Sequence, residues 1–285
     1  VALPQARRYG YREGFFAGTI AAGGTLGILI PPSINLIVYG FLTNTSIPQL
    51  FMAGIVPGVL LAIVFMLVIL AICLVKPGMG GGQRSATWQE RFASLKDLLP
   101  VLFIFAVVIG SIYAGWATPT ESAALGVIAS VVLALRYRAV NGEFIKEVME
   151  GTMRTTAMIM LILISANYLN FVLDAVGMAD MLKQFVTHLG LSPMKTLLVI
   201  IAMYVVLGLF VETLSLMVIT VPIVTPVVIS SGFDPVWFGI LLILLIEMAL
   251  ITPPVGLNLY VVQGVRQQGN ISEVMVGSLP FVIGI

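Results

Sequence analysis

Two proline pairs interrupt apolar stretches: Pro31-Pro32 within Leu29-Ile30-Pro31-Pro32-Ser33, and Pro253-Pro254 within Ile251-Thr252-Pro253-Pro254. Proline removes a backbone donor and clashes with the preceding turn, so two in succession break a helix. Carbonyls freed at such a break are uncharged oxygen ligands, which suit a hard cation such as Na⁺. The half-helices that restart at Ser33 and Gly256 turn free N–H groups and a positive dipole end toward the break, which suits a carboxylate. Ser33, Asn35, Thr213, Ser215, Gly256 and Asn258 are the candidate contacts to such an anion. The competing reading of each break is a structural kink whose Ser and Asn side chains satisfy freed backbone groups. Glu212 and Glu247 lie within apolar runs, where an acid is a functional hypothesis by default. A role at a cation site competes there with a structural one, holding a hairpin for Glu212 and orienting the second break for Glu247.

Other chemistries find few residues. The chain has one histidine, His188, and one cysteine, Cys73, so a His-based or thiol-rich metal centre and an internal disulfide are excluded. A membrane hydrolase would need a nucleophile with a base or a pair of catalytic carboxylates. His188 falls in a polar external loop, and Asp174 and Asp180 fall near the end of an apolar run, so no enzyme is expected. Thr118-Pro119-Thr120-Glu121 reads as a capping box with proline at the first helical position, which marks a helix start. A net charge of +1 offers no polyanion-binding surface, so no nucleic-acid partner is expected.

The elements that must position these residues are membrane helices. Of the 285 residues 59% are hydrophobic and 9% charged, against about 25% charged in a soluble domain. Apolar runs long enough to cross about 30 Å of hydrocarbon occur near 15–42, 51–75, 99–115, 120–135, 155–173, 197–229 and 235–265, and another opens at Val274. Irregular backbone at membrane depth is tolerated only where protein or a wet cavity covers it, so the breaks mark interior positions. The run at 197–229 carries Glu212, Thr213, Ser215, Pro222 and Pro226; it is read as a re-entrant hairpin with its tip near Glu212, against one long helix kinked at Pro222. Segments 87–98 and 139–154 read as helices lying on the membrane surface, and Gly78–Gly82 as a flexible connector. Loops 1–14, 76–98 and 136–154 hold three, four and four Lys or Arg, whereas 43–50, 115–119 and 230–234 hold none. The positive-inside rule makes the first group cytoplasmic; the two lysines in 174–195 run against the alternation. Val1 opens a basic stretch with no initiator Met or signal-peptide pattern, and Ile285 falls inside an apolar run, so an internal piece of a longer protein is expected.

The two ends of the chain repeat one another. Gly10-Tyr11, Phe16, Ala17 and Leu29-Ile30-Pro31-Pro32 match Gly232-Phe233, Phe238, Gly239 and Ile251-Thr252-Pro253-Pro254 at an offset of 222. After one inserted residue, Asn35-Leu36, Met52, Gly54, Pro57 and Val59 match Asn258-Leu259, Met275, Gly277, Pro280 and Val282. The charge pattern puts Gly10 inside and Gly232 outside, so the copies run in opposite directions. Inverted repeats with a broken helix in each are the pattern of a secondary transporter, with its site at the breaks. The fold class expected is an all-α polytopic membrane protein with an inverted-repeat ion-transporter fold. Residues 1–75 form the second part of the first repeat: the broken helix 15–42 and the helix 51–75. Residues 76–98 form a cytoplasmic linker with its interfacial helix. Residues 99–285 form the second repeat: helices 99–135 and 155–173, the hairpin 197–229, the broken helix 235–265 and a helix from 274.

Gly24-Thr25-Leu26-Gly27-Ile28-Leu29-Ile30-Pro31-Pro32-Ser33, Thr118-Pro119-Thr120-Glu121-Ser122-Ala123 and the segment from Ile251 to Leu259, taken in this order, resemble the large membrane subunit of tripartite ATP-independent periplasmic (TRAP) transporters. The resemblance covers essentially the whole chain, as the middle and late part of that subunit without its first hairpin and last helix. It implies an elevator-type, Na⁺-driven carrier in the bacterial inner membrane, with Na⁺ as coupling ion and no other cofactor. Its implied partners are a small four-helix membrane subunit, a periplasmic substrate-binding protein and a small organic acid such as a C4-dicarboxylate or sialic acid. By resemblance, Gly27, Ile30 and Pro32 would offer carbonyls to one Na⁺, completed by hydroxyls of the absent first hairpin. Gly208, Ala249, Thr252 and Val255 would hold a second. Family members commonly carry Gly where this chain has Ala249, a change that keeps the carbonyl but crowds the backbone. The alternative within the transporter class is a single-component inverted-repeat organic-anion symporter or a cation/proton exchanger. From a different class, the alternative is a scaffold subunit without transport, which the broken helices argue against.

Overall fold

The computed structural model describes residues 3, 6, 9–82, 87–96, 98–178, 181, 184, 191–266 and 269–285. Its helices run α1 (Glu13–Leu29), α2 (Ile34–Thr43), α3 (Ile47–Val75), α4 (Trp88–Leu95), α5 (Leu99–Tyr113) and α6 (Pro119–Arg136). They continue with α7 (Gly142–Val176), α8 (Pro193–Gly208), α9 (Thr213–Ser230), α10 (Pro235–Ile251), α11 (Leu257–Arg266) and α12 (Ile271–Gly284). His188 and Asp180 lie outside the described residues, as does the Asp174 side chain.

Each proline pair ends a helix. After Leu29 the chain becomes extended at Ile30, and α2 restarts at an axis bent by 41° from α1. Ser33 ties the halves together. Its hydroxyl donates to the Ile28 carbonyl in the last turn of α1 and accepts from the Leu36 amide in the first turn of α2 at 3.4 Å. One side chain thus answers orphan groups of two helix ends. Pro253-Pro254 separates α10 from α11 in the same way, and both Pro-Pro peptide bonds are cis.

Four helices among the described residues are long and apolar enough to cross a membrane, α3, α6, α7 and α9, and the bent pair α1–α2, counted as one span, would be a fifth. Large apolar side chains such as Val56, Leu74 and Phe171 are exposed, an arrangement for lipid rather than water. The chain is a multi-pass membrane protein. Two sequence expectations change. Residues 139–154 are not a separate surface helix: from Gly142 on they continue without interruption into the apolar run as the 35 residues of α7. No proline interrupts this stretch, and a Lys146–Glu150 pair at 3.8 Å lies along its charged part. The glycines at 78–82 are not a free connector either. Gly82 N–H donates to Tyr9 O at 2.9 Å, and a Cβ on Gly81 would lie 2.6 Å from that same oxygen.

The chain divides into two compact units, Val1–Gln83 with Ala166–Ile285, and Arg84–Ser165. In the second, α5 packs on α6 through a buried Ser111–Ser122 hydroxyl bond of 2.8 Å. The capping box is present: Thr118 N–H donates to Glu121 Oε2 at 2.8 Å, and Glu121 N–H to Thr118 Oγ1 at 3.3 Å.

In the first unit α1 packs on α11 and α12, while α10 packs on α2 and α3. Each long half-helix therefore rests on elements from the other end of the chain. Helices in a bilayer gain little from burying apolar area, so close backbone contact at small residues carries much of the packing. Gly14 and Gly18 of α1 face Gly277 of α12 so tightly that a Cβ on Gly14 would sit 2.9 Å from Glu273 Cβ, and one on Gly18 would collide with the Gly277 carbonyl. Tyr39, Phe51, Tyr204, Phe238 and Phe281 are fully buried. Tyr39 Oη donates to Pro235 O at 2.6 Å, tying α2 to the start of α10.

Candidate functional site

The run at 197–229 is two helices. They separate at Leu209–Glu212, not at Pro222, which sits within continuous α9. Tyr204 Oη and Thr220 Oγ1 meet at 2.6 Å. These residues lie about equally far before and after Glu212, so α8 and α9 fold back on one another as a hairpin. Glu212 caps α9: its carboxylate accepts from Leu214 N–H (3.0 Å), Ser215 N–H (2.8 Å), Ser215 Oγ (3.0 Å) and Thr213 Oγ1 (3.1 Å). The hydroxyls of Thr213 and Ser215, two candidate anion contacts, are thus engaged with Glu212 itself.

The hairpin tip rests on the second break. Gly208, Val211 and Thr213 line a small cavity of about 10 Å³ together with Ala249, Leu250, Val255, Gly256 and Leu257. That is room for one water-sized particle. Of the four residues assigned to a second ion, Gly208, Ala249 and Val255 line it; Thr252 does not, and its hydroxyl donates to Met248 O at 2.5 Å. The tip fits closely because Gly208 has no side chain: a Cβ there would lie 2.6 Å from Ala249 Cβ. Gly256 adopts φ +30°, and a Cβ on it would lie 3.0 Å from Thr252 O and 2.8 Å from Leu259 Cδ1. Sequence reasoning did not single out Val211, Leu250 or Leu257; each is a chain neighbour of a residue it did name, and that adjacency was the available signal.

The first break is more open. Gly27 and Pro32 are exposed and Ile30 half-buried, and no atom lies within 4 Å of where a Gly27 Cβ would be. Ser33 and Asn35 are buried. Ser33 is engaged as the link between α1 and α2 described above. Asn258 reaches from the second half-helix to the first broken helix, its Nδ2 donating to Ala21 O at 3.2 Å and lying 3.7 Å from where a Gly24 Cβ would be. The first turns of α2 and α11 and the hairpin tip thus belong to one packed unit, with Asn258 joining α11 to α1.

Glu247 lies one turn before the second break and is fully buried. Its carboxyl faces the backbone of Leu29, the last residue of α1, and makes no hydrogen bond of ordinary geometry. The freed carbonyl of Ile251 is answered by Ser278 Oγ of α12 at 3.1 Å. Among the described residues no three His, Cys, Asp or Glu gather as metal ligands.

The family model for the tripartite ATP-independent periplasmic transporter, DctM component, matches residues 1–285. The chain is 38% identical over 268 residues to a C4-dicarboxylate TRAP transporter large permease of Pseudomonas aeruginosa, covering 93% of this chain and 62% of that protein. It is 33% identical over 299 residues to the corresponding large permease of Vibrio cholerae, covering 96% and 64%. To a sialic acid TRAP transporter large permease of Vibrio cholerae it is 34% identical over 256 residues, covering 90% and 60%. The chain spans less than two thirds of the length of these relatives.

Proposed function

The chain belongs to the DctM-component family of tripartite ATP-independent periplasmic transporters, and from that premise we propose that it is part of the permease of a secondary carrier for a small organic acid. The carrier would be driven by Na⁺ and sit in the bacterial inner membrane. It would work with a small four-helix membrane subunit and a periplasmic binding protein that delivers the acid.

The observation that carries this reading is the convergence of the hairpin tip and the second break on one cavity, at Gly208, Thr213, Ala249, Val255 and Gly256. One Na⁺ would use the carbonyls of Gly208, Ala249 and Val255 with Thr252, and another those of Gly27, Ile30 and Pro32. The carboxylate of the acid would lie near the first turns of α2 and α11, with Ser33, Asn35, Thr213, Ser215, Gly256 and Asn258 around it. The reciprocal packing of α1 on α11 and α12, and of α10 on α2 and α3, supports an inverted-repeat carriage that moves as one body. The relatives' names include C4-dicarboxylate and sialic acid, which supports a small organic acid as the substrate class.

The experiment is uptake into proteoliposomes of the full-length protein with its small subunit, a binding protein loaded with radiolabelled organic acid, and an imposed Na⁺ gradient. Uptake that needs both Na⁺ and the binding protein is expected. Uptake that needs neither would overturn the tripartite reading in favour of a single-component exchanger, and unchanged uptake without Na⁺ would remove the coupling alone.

A further inference from the structure

At the end of the first unit that carries Arg12, Lys76 and Arg266, a pocket of about 850 Å³ opens between the starts of α1 and α12 and the end of α3. It has two kinds of wall. Ala71, Ile72, Val75, Val276 and Pro280 form an apolar side; Arg12, Glu13, Lys76, Arg266 and Glu273 form a charged one.

Arg266 is committed within the protein. Its Nη2 binds Glu273 Oε2 at 2.6 Å and Glu13 Oε2 at 3.2 Å, and the side chain is 8% exposed. This triad joins the first turns of α1 and α12 to the end of α11 and fixes the floor of the pocket. Arg12 and Lys76 line the same pocket, are exposed, and have no ion-pair partner among the described residues. The charged wall therefore has a surplus of one positive charge.

The aromatic side chains beside the pocket suit the membrane surface. Tyr11 stacks on Phe16 at 5.0 Å and meets Tyr9 edge-on at 6.4 Å, and aromatic side chains beside charged helix ends mark the membrane–water interface. The distribution of Lys and Arg makes this the cytoplasmic side, where basic pockets between helices take lipid head groups. A soluble anion would use the two cations and leave the apolar wall bare; an amphiphile with a phosphate head uses both.

We propose that this pocket binds an anionic phospholipid of the cytoplasmic leaflet, its phosphodiester on Arg12 and Lys76 and its acyl chains along Ala71, Val75 and Val276. The site is separate from the transport cavity and does not depend on which solute the protein carries.

The test is native mass spectrometry of the full-length protein titrated with phosphatidylglycerol, phosphatidylcholine and glycerol 3-phosphate. Phosphatidylglycerol is expected to bind more tightly than phosphatidylcholine. R12Q and K76Q should each weaken it about fivefold, and the double variant about 25-fold, from roughly 1 kcal/mol per basic side chain near the surface. V276W, which fills the apolar side without touching a charge, should also lower phosphatidylglycerol binding. K195Q, in the first turn of α8 and outside the pocket, should leave it unchanged. The proposal is overturned by equal affinity for the two lipids, by unchanged phosphatidylglycerol binding in the double variant and in V276W, or by competition from glycerol 3-phosphate, which would mark a free-phosphate site. A cross-linker at position 76 that captures the protein's own upstream segment in place of lipid would overturn it as well.

Discussion

Glu212 takes four donors from the three residues that follow it, and that fixes what its removal should do. E212A leaves two backbone N–H groups and two hydroxyls without their acceptor and is expected to cost about 1 kcal/mol, the scale of an N-cap. E212Q, which keeps an acceptor, should recover part of it; thermal unfolding in detergent measures both. A direct Na⁺ ligand would behave differently, shifting the Na⁺ dependence of uptake more than the stability. Gly208 makes the opposite kind of prediction. G208A puts a methyl 2.6 Å from Ala249 Cβ, so it should push the hairpin off the second break and raise the Na⁺ needed for half-maximal uptake. The double variant with A249G should recover most of the loss, because the second change removes the colliding atom. Full loss in the double variant would separate Gly208 from Ala249. At this scale the proline pairs and the Thr118–Glu121 box were legible, since both act through fixed spacing over a few residues. The Glu212 cap was not: Glu is not among the favoured N-cap residues, and a lone acid in an apolar run reads equally as a ligand.

Between elements, the contact of α1 with α12 is the most demanding. Gly14, Gly18 and Gly277 bring backbone against backbone, so no flexible side chain can yield to an added methyl. G277A should therefore separate the two helices and cost about 1–3 kcal/mol, the range for overpacking. G151A, on an open part of α7 with nothing within 4 Å, should stabilise by up to about 1 kcal/mol through helix propensity. Comparing the unfolding midpoints of the two variants tests whether close approach, rather than glycine content, sets the difference. The Gly277 contact could be suspected from the match of Gly54 to Gly277, but the match names no partner. The continuity of α7 was hidden for a related reason. Charges at Glu143, Lys146, Glu147 and Glu150 mark where a helix leaves the apolar layer, and a helix that leaves it need not end.

For the molecule as a whole, the offset of 222 between the proline pairs was legible because paired residues in one order rarely recur by chance. The reciprocal packing of α1 and α10 was not, since spacing along a chain does not say which distant element a face will meet. Compactness also cuts the chain differently from the repeats, grouping Val1–Gln83 with Ala166–Ile285. Opposite orientation of the copies predicts a labelling pattern. With Cys73 replaced by Ser, S46C and S230C should react with an impermeant maleimide added outside intact cells, and K76C only after the membrane is opened. Labelling of K76C from outside would reverse the orientation; labelling of S46C and S230C from opposite sides would end the inverted reading. One feature of the hairpin bears on the electric field in which any anion would sit. Three helices begin around the two breaks: α2, α9 and α11. The positive pole of α9 is already answered by the carboxylate of Glu212, its N-cap, whereas no acidic residue stands in the first turn of α2 or of α11. The field at these three helix starts is thus lopsided: a negatively charged guest would be drawn more strongly to the starts of α2 and α11 than to that of α9.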